Sequence, residues 1–275
     1  MKIGKIIPLF FVLSVLFFYI EPLDAGAIRI RCASTTSTQN SGFFDYLLPK
    51  FEKKNGIKVD IIAVGTGQAL EIGKRGDVDL VIVHSKEDEI RMVREGYFVE
   101  RFNIMYNDFI ILGPSDDPAG IKGLKTAPNA FRKIAASGKS FMSRGDNSGT
   151  HKTELKIWQE AKIDPREKRW YIEVGQGMEN TLRVADQKRG YTLTDRGTWL
   201  STKDRNRFNM EILVEGDPLL FNQYGIMAVN PSKHPHTKYR EAKVFIDWIV
   251  SPAGQKAIAD FKDRQGNAIF IPNAK

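Results

Sequence analysis

A two-lobed α/β fold, each lobe a mostly parallel sheet flanked by helices, is predicted by three features of this chain. Short apolar runs alternate with segments of helical periodicity, the pattern of βαβ units. The 275 residues suffice for two lobes with cores of their own. Two apolar strands far apart in sequence, Phe109–Leu112 and Tyr224–Val229, share a texture and are expected to pair as the two crossings between lobes. Lobe one is then 28–111 plus 223–275, and lobe two is 112–222.

The elements follow in order. Ile28–Ala33 reads as a strand, and Phe43, Phe44, Leu47, Leu48 and Phe51 as one face of a helix. Ile57, Val59 and Ile61 alternate with Lys58 and Asp60, a half-buried strand that runs into Val64-Gly65-Thr66-Gly67 and a further helix start. Val78–Val83 is a nearly continuous apolar run, as in a strand buried on both faces. Lys86–Glu95 reads as a helix stopped by Gly96. Residues 114–126 are loop-like; Pro128 then sits in the first turn of a helix ended by Gly138. Phe141-Met142 is a short strand, Thr150–Ala161 a helix, Trp170–Val174 a strand and Gly177–Lys188 a helix. Tyr191–Leu193 is a strand followed by a cap at Thr194-Asp195, and Ile212–Val214 another strand. Lys238–Val250 and a last helix capped by Ser251-Pro252 close the chain.

The net charge of +8 favours anions or an anionic surface. No dense Lys/Arg tract is interleaved with aromatics, so nucleic acid is not an expected partner. Lys2 and Lys5, an apolar stretch Ile6–Ile20 and Ala25-Gly26-Ala27 form a secretory leader, expected to be cleaved after Ala27 and to deliver the protein to the periplasm. Cys32 is the only cysteine and reads as a buried thiol, so no internal disulfide is possible. His84, His151, His234 and His236 lack metal-ligand spacing; no metal cation site and no cofactor is expected.

Chemistry concentrates in two stretches. Ser34-Thr35-Thr36-Ser37-Thr38 puts five hydroxyls where a strand turns into a helix. Ser143-Arg144-Gly145-Asp146-Asn147-Ser148-Gly149-Thr150 repeats the design before a second helix. Helix starts present unpaired N–H groups and a partial positive charge, a setting for a small anion. Hydroxyls add neutral donors, and an arginine adds a fork that matches two oxygens. Taken singly, either stretch could merely cap its helix. Together with Gly65-Thr66-Gly67 they predict opposing lips of one oxyanion site, drawn from Ser34, Thr35, Thr36, Ser37, Thr66, Arg144, Ser148, Gly149 and Thr150, with Lys152 at the rim. A serine beside Lys152, or Thr150 beside His151, could be imagined as nucleophile and base, but no Gly-x-Ser-x-Gly elbow is present and binding without catalysis is expected. Phosphate, which often carries a proton, would need an acceptor such as Asp146 or Asp195.

At these residues the chain resembles the tungstate-binding proteins of bacterial uptake transporters, the TupA type. The likeness rests on Ala33–Thr38, Phe141–Lys152, Tyr191–Thr198 and Val214–Leu219 and covers essentially the whole mature chain. It implies a type II periplasmic binding fold with the ligand between two lobes, delivering tungstate, or alternatively molybdate or another oxyanion, to an ABC permease in the inner membrane; a monomer is expected, though the sequence leaves the oligomeric state open. Carried over by motif, Ser34, Thr35, Thr36, Ser37 and Arg144 surround the oxyanion, with Thr150 a further donor. Two positions depart from the pattern: Ser34 stands where a threonine is expected and Thr153 where a second lysine is expected.

Overall fold

The computed structural model describes residues 28–203 and 205–274. The expected leader and its cleavage site lie outside the described residues.

The first half runs β1 (Ile28–Thr35), α1 (Thr36–Asn40), α2 (Phe43–Asn55), β2 (Ile57–Val64), α3 (Thr66–Lys74), β3 (Leu80–Val83), α4 (Lys86–Arg94) and β4 (Phe98–Pro114). Then come α5 (Ala127–Ser137), β5 (Phe141–Ser143), α6 (Gly149–Glu160), β6 (Tyr171–Glu173), α7 (Met178–Gln187), β7 (Tyr191–Asp195), α8 (Arg196–Ser201) and β8 (Met210–Val214). The chain closes with β9 (Phe221–Val229), α9 (Tyr239–Val250), α10 (Pro252–Ala259) and β10 (Ile271–Pro272).

Strands β2, β1 and β3 pair in parallel, and β9 joins β3 antiparallel, so the first sheet orders β2-β1-β3-β9-β4. In the second sheet β5 pairs in parallel with β6 and β7, while β4 runs antiparallel to β7 and β8. Strand β4 therefore belongs to both. Its register with β9 ends at Asp108↔Phe221, and its register with β7 begins at Phe109↔Asp195.

This corrects one expectation. Phe109–Leu112 does not pair with Tyr224–Val229; it pairs with Asp195–Thr192, and Tyr224–Val229 lies between β3 and the earlier half of β4. That earlier half, Phe98–Asp108, went unread because Glu100, Arg101, Asn103 and Asn107 interrupt its apolar pattern. Arg101 is there for a reason: its guanidinium is paired with Glu89, whose side chain is wholly buried. The helix after the first hydroxyl stretch also divides. Ser41-Gly42 separates the five-residue α1 from α2, Gly42 being left-handed at φ 79°.

Strand periodicity builds a core on each face of both sheets. Along β3, Leu80 and Ile82 face a core with Phe43, Leu47, Phe51 and Phe245, while Val81 and Val83 face Leu70, Met92 and Phe98. Along β4, Phe109 and Ile111 face Phe131, Phe141 and Trp158, while Ile110 and Leu112 face Met142, Leu182 and Trp199. The first two clusters of buried residues draw on 30–105 and 224–270, the other two on 109–220. Cys32 is buried in the first group, where desolvation pushes its thiol far up.

Glu89 holds the end of β3, since its second oxygen accepts the Ser85 N–H at 2.6 Å. Burial pushes this carboxyl up to about 7 even beside Arg101. Replacing Arg101 by Met leaves a buried acid without its counter-charge. We expect a loss of about 3–5 kcal/mol in unfolding free energy, read from urea titration.

Candidate functional site

Four strand ends point at one small cavity. Strand β1 delivers Thr35 and, through α1, Thr36 and Ser37; β2 delivers Val64, Gly65 and Thr66; β3 delivers His84; and β5 delivers Arg144. Ser148, Gly149 and Thr150 complete the lining from the first turn of α6. The starts of α1, α3 and α6 thus meet there, and first-turn N–H groups have no partner inside their own helix. Ligand sites of open α/β sheets form at such carboxyl ends of strands.

Each loop is shaped locally. Thr35 caps α1, its Oγ1 accepting the Thr38 N–H at 3.3 Å, and it hydrogen-bonds the hydroxyls of Thr38 at 2.7 Å and Ser37 at 3.1 Å. Arg144, 6% exposed, is gripped by Asp146: its Nε donates to Oδ2 at 3.0 Å, and its Nη2 donates to the same oxygen. The other Asp146 oxygen accepts the Ser148 N–H at 3.1 Å. Burial resists ionisation of Asp146, but Ser148 and Arg144 outweigh it and hold its pKa below the ordinary value. Gly149 is where the two sides come closest. A Cβ there would stand 2.8 Å from His84 Cε1 and 3.2 Å from Thr66 Oγ1, so only glycine admits this approach.

Beneath the cavity a buried hydrogen-bond chain crosses between the sheets. Asp195 caps α8 by accepting the Thr198 N–H at 2.8 Å, and it can only accept. Asn107 donates to it at 3.3 Å, Asn222 donates to Asn107 at 2.7 Å, and the Asn222 oxygen lies 3.0 Å from His84 Nδ1. The direction imposed at Asp195 therefore makes Nδ1 the protonated nitrogen of His84. The His84 ring stacks on Tyr224 at 4.8 Å. Burial, with Arg144 adding, lowers the His84 pKa against Asp195 and Asn222, so the ring is neutral at pH 7. At the same crossing Arg196 makes a two-pronged contact with Asp108, both bonds 2.6 Å.

On the side where α4 faces α6, Lys152 pairs with Asp88 at 2.8 Å and Lys156 with Glu87 at 3.1 Å. Partial burial opposes the Asp88 charge, but Lys152, Arg91 and Ser85 prevail and hold its pKa down to about 2. A groove of about 530 Å³ runs out from Thr36, Ser37 and Arg144 to Met178, Thr198 and Lys203. Among the described residues no cluster of three or more His, Cys, Asp or Glu side chains could hold a metal ion.

Residues 24–253 match the family model described as a PBP superfamily domain. The tungstate-binding protein TupA of Peptoclostridium acidaminophilum is 46% identical over 250 residues, spanning 89% of this chain and 86% of that one. The chain belongs to the TupA family. Two solved structures resemble it throughout. The tungstate-binding protein TupA of Desulfovibrio alaskensis has a TM-score of 0.81 at 46% identity, over 90% of this chain and all of that one. The tungstate ABC transporter protein of Geobacter sulfurreducens has a TM-score of 0.77 at 52% identity, over 85% and 98%.

Within this TupA-type scaffold, eight of the residues expected at the site line the cavity: Thr35, Thr36, Ser37, Thr66, Arg144, Ser148, Gly149 and Thr150. Two do not. The Ser34 hydroxyl donates to the Ile82 carbonyl at 2.7 Å inside the sheet, because alternation along β1 turns it away from its neighbours. Lys152 faces the α4 side and is held by Asp88. Among the described residues, Asp146 and Asp195 are outside the lining, each engaged by donors of its own. His84, Asn107 and Asn222 were missed. His84 had a signal: it directly follows the fully buried β3, as Thr35 ends β1 and Thr66 lies two residues past β2. The two asparagines had none, since their pairing exists only across 115 residues.

A methyl group at Gly149 would press on His84 and Thr66, so Gly149→Ala is expected to lower the urea midpoint. The added methyl group should wedge the two sides apart, and small-angle scattering should report a larger radius of gyration.

Proposed function

We propose that this protein captures one tetrahedral dianion, tungstate, between two lobes in the periplasm and presents it, as a monomer, to an ABC permease. In this reading the lobes are the bodies on either side of the point where β4 passes from β9 to β7, between Asp108 and Phe109. The single observation that carries this reading is the convergence of three helix starts, hydroxyls and one arginine on a cavity built from both sheets. Relatives named for tungstate binding support tungstate as the ligand.

The chemistry follows from the lining. A dianion taken from water needs many donors, each worth about 1.5–3 kcal/mol when one partner is charged. Hydroxyls and first-turn N–H groups provide them without a full counter-charge. Arg144 supplies one charge, already shared with Asp146. With Asp146 and Asp195 engaged elsewhere, neither is presented to the ligand as an acceptor, which favours a fully deprotonated anion over phosphate carrying a proton. Closure about β4 and β9 would expel water and strengthen each bond. The pairs Lys152–Asp88 and Lys156–Glu87 hold α6 to α4 in the closed form, each contributing about 0–1 kcal/mol at the surface.

Competition calorimetry tests this. Tungstate should bind tightest, molybdate next, then sulfate and phosphate. Arg144→Ala should weaken tungstate binding by roughly tenfold to hundredfold, and Thr36→Val by about tenfold, through loss of a donor to a charged oxygen. Unaltered affinity in both variants would refute the site. Ser34→Ala serves as a control whose cost falls on folding stability, about 1 kcal/mol, and not on affinity.

A further inference from the structure

The loop that carries Arg144 is tied down at its far end by a second histidine. Ser148 caps α6, its Oγ accepting the His151 N–H at 3.3 Å. His151 returns the contact: its Nδ1 accepts the N–H of Asn147 at 3.0 Å. The pair is like a capping box displaced by one residue: the imidazole accepts from the residue before the cap, and the N–H of the cap residue itself goes to Asp146. Asn147 needs the tie, since it sits in the left-handed region at φ 56°. Asp146 holds the neighbouring points, Arg144 on one oxygen and the Ser148 N–H on the other.

A ring nitrogen that accepts a hydrogen bond carries no proton. His151 is therefore neutral here, with its proton on Nε2. That nitrogen is buried and has no hydrogen-bond partner among the described residues; the nearest carboxylate oxygen, on Glu173, is 3.9 Å away. We propose that His151 is a pH-sensitive positioning residue for anion capture: a second proton, placed on Nδ1, removes the acceptor for Asn147 and frees the loop that holds Arg144 and Ser148.

The groups around the ring set the direction. Burial most strongly disfavours its charged form, Glu173 on β6 and Asp146 in the loop favour it, and Arg144 opposes it, leaving the pKa below the ordinary value. Glu154, one turn along α6, is occupied by Trp158 Nε1 at 3.1 Å and the Tyr171 hydroxyl at 2.7 Å. A histidine depressed in this way supports the bound geometry above its titration and withdraws support as pH falls. His84 works with the opposite sign. It lines the cavity itself, and a proton there would attract a dianion. Acid-weakened binding therefore separates His151 from His84.

The inference rests on the oxyanion reading above, and its test keeps the two apart. Calorimetry with micromolar tungstate at pH 7.5 tests that reading; the slope from pH 7.5 to 5.5 tests His151. The unaltered protein should lose affinity several-fold over that range and by less than tenfold, because a pKa below the ordinary value leaves less than one pH unit of titration above pH 5.5. His151→Gln keeps an acceptor that does not titrate, so its affinity at pH 5.5 should equal or exceed that at pH 7.5. His151→Phe fills the space without an acceptor and should bind weakly at both. Should the Phe variant not fold, the comparison with Gln decides. Affinity that is flat or rises toward acid in the unaltered protein, or a Gln variant that falls as steeply, would overturn the proposal. Nitrogen-15 NMR of the anion-free protein gives an independent check: Nε2–H at neutral pH, and an Asn147 amide resonance that moves with the ring's titration. An Asn147 amide indifferent to that titration would also overturn it.

Discussion

The antiparallel pairing of β4 with β9 is the constraint on which the remainder depends. Both strands lie at the point where one sheet hands over to the other, and β4 changes neighbours between Asp108 and Phe109. A single continuous strand, with irregularities in register before Met105, therefore serves four cores at once. That fixes how the strand ends of the two halves confront each other. A one-residue slip in β4 would reverse every side chain beyond it and turn Ile110 and Ile111 to the wrong cores.

The crossing also carries polar groups that a strand interior would ordinarily exclude. Asn107 and Asn222 are buried, and their cost is met because each amide both donates and accepts in a chain ending at Asp195. The chain has one direction. It sets the tautomer of His84 at the cavity and ties the cap of α8 to the end of β3. Position of the halves and chemistry of the site are thus settled by the same hydrogen bonds, and Arg196 gripping Asp108 reinforces them from the outer side.

Charge is used sparingly near the cavity. Arg144 is the only cationic side chain in its lining among the described residues, and Asp146 moderates it. The lysines of α6 face α4 and meet its acidic first turn. Those full charges stand apart from the cavity, whose lining is otherwise hydroxyls, glycines and helix starts.

Local pattern and turn chemistry were legible in the residues alone. Apolar periodicity marked nearly every element, and hydroxyl or glycine stretches after strands marked eight of the cavity's lining residues, because helix capping and strand alternation depend on near neighbours in the chain. The unread half of β4 failed for the converse reason: Arg101 and Asn107 are stabilised by Glu89 and Asn222, partners that periodicity does not see. Ser34 failed by parity, its hydroxyl on the wrong face of β1 by a single residue. The sequence by itself determined the class of fold and the two loops that could hold an oxyanion. Only the tertiary structure decided which hydroxyls face the cavity, that Lys152 serves a contact between helices, and that His84 lines the cavity while His151 ties the loop beside it. Burial and hydrogen-bond direction are properties of the assembled surroundings, and no residue carries them alone.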